Sequence, residues 1–374
     1  MSPRVSRCIL ALTFLLSACG TPSEAPPPPP PPEPTPEATP EPTPEPVLAF
    51  ENAAGDLCRG TGFDRLTDGR MVVADAGVAD SVTVYSAEGV VKGTPTASKL
   101  GFLSNEGPLP ETIQDLAAVA TRGDKVVLIG SFAHDDGEGC PIPEHRAKIL
   151  VGEANPDELE WKNRLRMKPC AWNGTGPHCP DGVLPVLDSV DSCKEALFTS
   201  KITTAGDSVC ETLVKAEADI KAGTCGPGFA VAAATIVAGR AGNKLWVALR
   251  SPLSVAGETI LLRLEQPIEE LSTLSFDRAS YISLPKEYEI RGLATEGNTI
   301  LGVADGPEGA IQFSFSARDL RDGEAVTAKR TDLELPNGIQ SISSGLSGPV
   351  ALWGGEAGPD GCTKKPQVAV LATP

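Results

Sequence analysis

Seven polar residues stand at two recurring offsets from short apolar runs. Asp75, Arg250 and Asp305 follow directly on such runs. Arg59, Gln114, Arg291 and Gln340 fall in a second register, near the start of the segment that precedes each run. Guanidinium forks bind carboxylates and phosphates through paired N–H donors, so Arg250 and Arg291 suit a small anionic ligand. The same seven residues could instead pair with one another, or with strand-end carbonyls, and only satisfy the interior. The chain has 3 His and contains no Gly-x-Ser-x-Gly, His-Glu-x-x-His or phosphate-loop pattern. His134-Asp135-Asp136-Gly137-Glu138 offers oxygen donors for Ca2+, but it lacks the alternating acids of a twelve-residue calcium loop and reads as a solvated acidic loop. No catalytic residue, metal site or cofactor is expected.

The two offsets carry meaning only if the runs are equivalent elements. Five runs recur: Met71–Asp75, Val126–Gly130, Leu245–Arg250, Ile300–Asp305 and Val350–Gly354. Each follows a Gly, Asp or Asn turn, with a further strand-like segment on either side. Continuous apolar runs of this length, rich in β-branched residues, read as buried strands. Successive runs lie about 50 to 55 residues apart, except for one interval of about 119. Units of about 50 residues with three or four strands predict an all-β fold, a β-propeller of five or six blades. A β-sandwich built from the same strands is the structural alternative. The long interval holds either a degenerate blade or an insertion. We read it as a disulfide-rich, partly helical insertion over about 155–228, because Val209, Leu213, Ala216 and Ile220 recur at helical spacing between a Ser208 cap and Gly223. Equivalent positions in successive blades fall on a ring, so the seven polar residues are expected at one mouth of a central channel.

The chain has 374 residues and a net charge of -17, which argues against a nucleic-acid partner. Arg4 and Arg7 precede a short apolar stretch that ends in Leu16-Ser17-Ala18-Cys19. This resembles the lipobox of bacterial lipoproteins and implies cleavage of signal peptide 1–18, acylation of Cys19 and a bacterial envelope location, by analogy the outer membrane. Residues 22–46 hold fourteen Pro among their 25 residues, interleaved with Glu. Such a tract favours extended polyproline II and reads, with Cys19, as a linker (19–46) of about 75 Å. The globular domain is then 47–374. Eight cysteines remain in it: Cys58, Cys140, Cys170, Cys179, Cys193, Cys210, Cys225 and Cys362. An even count in an exported chain suggests disulfides, and no close Cys pair suits zinc. Cys58 with Cys362 would clasp the two ends of the domain; Cys193–Cys210 and Cys170–Cys179 are the next pairings expected.

Ile129-Gly130-Ser131 with His134 and Glu144-His145-Arg146, Trp246–Leu253, and Ile290-Arg291-Gly292-Leu293 with Leu301–Pro307 resemble elements of an uncharacterised bacterial domain family of presumed β-propeller fold. The resemblance spans roughly 55–350, implies the propeller and supplies no activity. The expected protein is a membrane-anchored extracytoplasmic lipoprotein whose propeller binds an unidentified protein or small anionic ligand. The alternatives are a metal-dependent lactonase or phosphoesterase propeller and a purely structural envelope protein.

Overall fold

The five apolar runs are buried on both faces, which explains why they are continuous rather than alternating. In Lys125–Gly130, Val126 and Leu128 pack toward one neighbouring sheet while Val127 and Ile129 pack toward the other. In Thr299–Gly306, Ile300 and Ala304 face one way, Leu301 and Val303 the other. Each run is thus the second strand of a sheet sandwiched between two more. A computed structural model describes residues 48–104, 107–133, 145–166, 189–198, 204–221, 228–331, 333–345, 348–358 and 361–371. It shows five radially packed sheets, a five-bladed propeller.

The innermost strands are Gly60–Arg65, Leu116–Arg122, Ala230–Gly239, Glu289–Glu296 and Ile339–Ser343, in blades 1 to 5. Neighbouring inner strands touch in a closed ring, and one apolar cluster fills each space between blades. Five blades leave a narrow axis. A Cβ on Gly62 would lie 2.9 Å from the Val119 amide nitrogen, and one on Gly292 would lie 2.6 Å from that of Ile342. Small residues therefore stand at this level in all five inner strands: Gly62, Ala118, Ala233, Gly292 and Ser341.

Blade 5 closes the ring. Its outermost strand, Glu51–Asn52, comes from the start of the domain and pairs antiparallel with Gln367–Val370. The Cys58–Cys362 disulfide (Cα–Cα 5.1 Å) clasps the same junction, as the spacing suggested.

The long interval holds no sixth blade among the described residues. Leu159–Arg166, expected within the insertion, is instead a strand of blade 2 paired with Lys148–Ala154, so the insertion begins later. Two helices follow, Val190–Leu197 and Thr204–Lys221, joined by Cys193–Cys210. The first is capped by Ser189, whose hydroxyl accepts from the Ser192 amide. Cys193, Leu197, Val209 and Leu213 seat the pair on the cluster between blades 2 and 3. The second helix starts four residues before the expected Ser208 cap. Ser208 lies inside it, its carbonyl accepting from Thr212 Oγ1 at 2.9 Å. Residues 1–46, with Cys19, and Cys140, Cys170, Cys179, Cys225 and His134–Glu138 lie outside the described residues.

Candidate functional site

Every inner strand carries a β-bulge one or two residues from its start. The unpaired residues are Thr61, Ala117, Ala232, Arg291 and Gln340. A bulge inserts one extra residue and re-aims its side chain. All five line one cavity of about 100 Å3 at the end of the channel where the inner strands begin. Arg250 joins them from a second irregularity: Ala230 pairs with Ser251 and Val231 with Leu249, which leaves Arg250 unpaired. Asp115 and Ser131 complete the polar lining.

The two arginines meet at one carboxylate. Arg291 Nη2 lies 2.9 Å from Glu289 Oε2, and Arg250 Nε donates to the same oxygen at 3.2 Å. The Asp115 carboxylate also belongs to the cavity lining, and Asp305 acts on Arg291 from nearby. Arg291 is the deeper of the two, with its side chain 22% exposed against 47% for Arg250. Its Nε–H is buried with no hydrogen-bond partner among the described residues. Burial, then the nearby Arg250 charge, lower the Arg291 pKa, while Glu289 and Asp305 oppose the shift. A guanidinium still keeps its proton. Buried charges ordinarily find partners; the Arg291 Nε–H has none and is enclosed by protein, while other atoms of the residue line the cavity.

The loops around the cavity are held in demanding backbone conformations. Asp115 (φ 54°) and Phe132 (φ 55°) are left-handed, a region costly for residues other than Gly. The Ser131 amide donates to the Asp115 carbonyl at 2.9 Å, and Thr61 Oγ1 donates to the Leu116 carbonyl at 2.5 Å. Blades 1 and 2 are thereby tied at the rim.

Of the seven residues singled out in the sequence, Arg250, Arg291 and Gln340 line this cavity; Asp75, Asp305, Arg59 and Gln114 do not. Asp75 accepts from the Cys58, Arg59 and Gly77 amides at 2.9, 3.2 and 2.7 Å. Asp305 accepts from the Gly338 amide at 3.2 Å, so both carboxylates fix loops. Arg59 and Gln114 are exposed, and the bulge positions of their blades fall to Thr61 and Ala117. The bulge residues stand 9 or 10 positions before the apolar runs of blades 1, 2, 4 and 5, whereas Arg59 and Gln114 each stand 12 before theirs, so the second register falls two or three residues too early in blades 1 and 2. Glu289, Asp115 and Thr61 were missed. Glu289 has one sequence signal, its position two residues before Arg291. Among the described residues no three His, Cys, Asp or Glu side chains converge as a metal site.

No family model matches the chain, and no curated protein matches it. The motif-level resemblance is therefore carried by the propeller fold and by nothing further. Three solved structures illustrate its fold relatives. The glutaminyl cyclase of Myxococcus xanthus is 9% identical, with a TM-score of 0.41 over 87% of this chain and 97% of that one. The GH43_1 enzyme from Xanthomonas citri is 11% identical, with a TM-score of 0.41 over 87% and 90%. The Cps50 (Swd1) β-propeller domain of Myceliophteria thermophila is 9% identical, with a TM-score of 0.36 over 87% and 100%. Likeness at this level concerns architecture alone.

Proposed function

We propose that this chain is an extracytoplasmic, membrane-tethered binding protein whose channel mouth takes an oxyanionic group of a small ligand between Arg250 and Arg291. The reading rests on one observation above all: two guanidinium groups share the single carboxylate of Glu289, and the deeper one keeps a buried N–H without a partner. A carboxylate or phosphate entering the cavity would accept charge-assisted hydrogen bonds from the accessible N–H groups of the two guanidinium forks. Gln340 and Ser131 stand beside it to orient the rest of a small ligand. The two disulfides support an oxidising compartment. Tethering rests on the lipobox resemblance and the Pro-rich tract; among the described residues no helix is long and apolar enough to cross a membrane.

Calorimetric titration of the full chain in detergent with inorganic phosphate, acetate and citrate tests the site. Saturable binding, abolished in Arg250→Gln and Arg291→Gln, is the expected result. Binding unaffected by both substitutions overturns the assignment, and so does no binding of any oxyanion. Metabolic labelling with a fatty acid, compared with Cys19→Ser, tests the tether.

A further inference from the structure

The mouth that holds Arg250 and Arg291 also holds a carboxylate that nothing engages among the described residues. Asp115 directly precedes the inner strand of blade 2, is half-buried and lines the same cavity. Its side chain makes no hydrogen bond and no ion pair among the described residues. The other carboxylates at this end of the channel are taken. Glu289 accepts from both arginines, Asp305 from the Gly338 amide, and Asp75 from three amides. The left-handed backbone of Asp115 is fixed by the Ser131 amide, which donates to its carbonyl. A carboxylate without a donor, on a backbone held in a costly conformation, stands where a ligand can use it.

Opposite charges lining one small cavity ordinarily close on each other. Here they do not, and the topology gives the reason. Arg291 belongs to the inner strand of blade 4 and Arg250 to the second strand of blade 3, whereas Asp115 opens blade 2. Blades 2 and 4 are not neighbours in the ring, so Asp115 and Arg291 stand on different sides of the channel axis. The charges that act on Arg291 are those of Arg250, Glu289 and Asp305, and Asp115 is not among them. The cavity thus has a cationic side with two guanidinium forks and an anionic side with one carboxylate.

Size narrows the occupant further. A cavity of about 150 Å3 holds the six carbons of benzene, so one of about 100 Å3 holds about four or five heavy atoms. The head group of an α-amino acid has five: the nitrogen, Cα and the three atoms of the carboxylate. Ala117, Ala133, Ala230 and Ala232 keep the rest of the lining small and apolar, which suits Cα.

We infer that the ligand of the channel mouth is a free α-amino acid, its carboxylate taken by Arg250 and Arg291 and its ammonium by Asp115. The inference rests on the oxyanion reading above and adds the second charge to it. A zwitterion satisfies both sides at once, while a simple anion leaves Asp115 facing a like charge across the cavity.

Calorimetric titration of the full chain in detergent with alanine, lactate and ethylamine tests it. Lactate is alanine with a hydroxyl in place of the ammonium, and ethylamine is alanine without the carboxylate. Asp115→Asn is the matched variant, because Asn tolerates the left-handed backbone and only the charge is lost. The expected result is alanine bound about 10-fold or more tighter than lactate, ethylamine not bound, and the advantage over lactate lost in Asp115→Asn. Equal binding of alanine and lactate, or an advantage that survives in Asp115→Asn, overturns the amino acid and leaves the oxyanion reading standing. Ethylamine bound as tightly as alanine, alanine binding that survives both Arg250→Gln and Arg291→Gln, or no binding of any probe overturns both. The comparison of alanine with lactate is made on the wild-type chain, so it does not depend on whether a variant folds.

Discussion

Replacing Arg291 by Met is expected to leave the fold intact and to remove oxyanion binding at the channel mouth. The two effects can be worked separately from the geometry. The substitution deletes an ion pair to Glu289, whose side chain is 45% exposed; pairs of that kind contribute about 0.2–1 kcal/mol. It also deletes a buried N–H that has no partner, a group whose desolvation costs about 1–3 kcal/mol. Glu289 is not orphaned, because Arg250 stays 3.2 Å away. Met is unbranched and can occupy the vacated stem. The balance is a stability unchanged or raised by about 0–2 kcal/mol. At this chain length each kcal/mol moves Tm by about 1–2 °C, so scanning calorimetry with disulfides intact should show a Tm equal to that of wild type or up to about 4 °C higher. Binding should move the other way. A charge-assisted hydrogen bond contributes about 1.5–3 kcal/mol, so the affinity for phosphate or citrate should drop about 10- to 150-fold in calorimetric titration. A Tm lowered by more than about 5 °C with unchanged affinity would refute the reasoning, since Arg291 would then be a structural strut.

Gly292→Ala should destabilise by about 1–3 kcal/mol, at the upper end because the new Cβ meets backbone of the next inner strand; urea unfolding measures it, and a neutral result would mean the blades can move apart. Glu111 lies under blade 2, with Lys148 2.6 Å away and both side chains about 5% exposed, and it also pairs with Arg164. Burial alone would raise its pKa, yet the bonds from Lys148 and Arg164 together hold it below the ordinary 4.5. A depressed carboxylate stabilises fully above its unfolded pKa and loses that contribution as pH falls through its folded value. Glu111→Gln should therefore cost about 3–5 kcal/mol at pH 7, by leaving Lys148 buried without its counter-charge, and flatten the loss of stability below pH 4.5 in a series of calorimetric scans. A stability–pH curve parallel to wild type below that pH would be the contrary outcome. Replacing Cys58 and Cys362 together by Ser opens a loop of 304 residues and should cost about 5–6 kcal/mol, more than the roughly 3 kcal/mol for the 17-residue loop of Cys193–Cys210; equal losses of Tm would contradict the clasp.

Much of the scaffold was legible because burial on two faces writes itself into consecutive residues. Leu245–Leu249 has no polar break, since Trp246 and Ala248 pack on one neighbouring blade and Leu245, Val247 and Leu249 on the other. That continuity, repeated every 50 to 55 residues, is sufficient to recognise blades. The clasp was legible too, because Cys58 and Cys362 flank the repeats and a ring of repeats brings its ends together. The insertion was read less sharply. Its apolar spacing marked Val209 and Leu213 as buried, while helix-permitting residues upstream left the start at Thr204 without a signal.

The site was only half legible, and the reason is the bulge. A bulge is a mismatch between two paired strands, so it exists in the pairing register and not in either strand alone. Arg291 and Gln340 stand 9 and 10 residues before the runs of blades 4 and 5 and coincide with the bulges. Arg59 and Gln114 stand 12 before theirs, two and three residues short of the bulges at Thr61 and Ala117. Glu289 acquired its role when the chain brought Arg250 across from blade 3. The repeating strands and the cysteines at the ends of the domain are legible in the chain, since burial and spacing are local in it. Which side chains share a mouth, and that Arg250 and Arg291 meet at one carboxylate, is settled by folding, because it depends on strands that lie far apart in sequence and meet around a common axis.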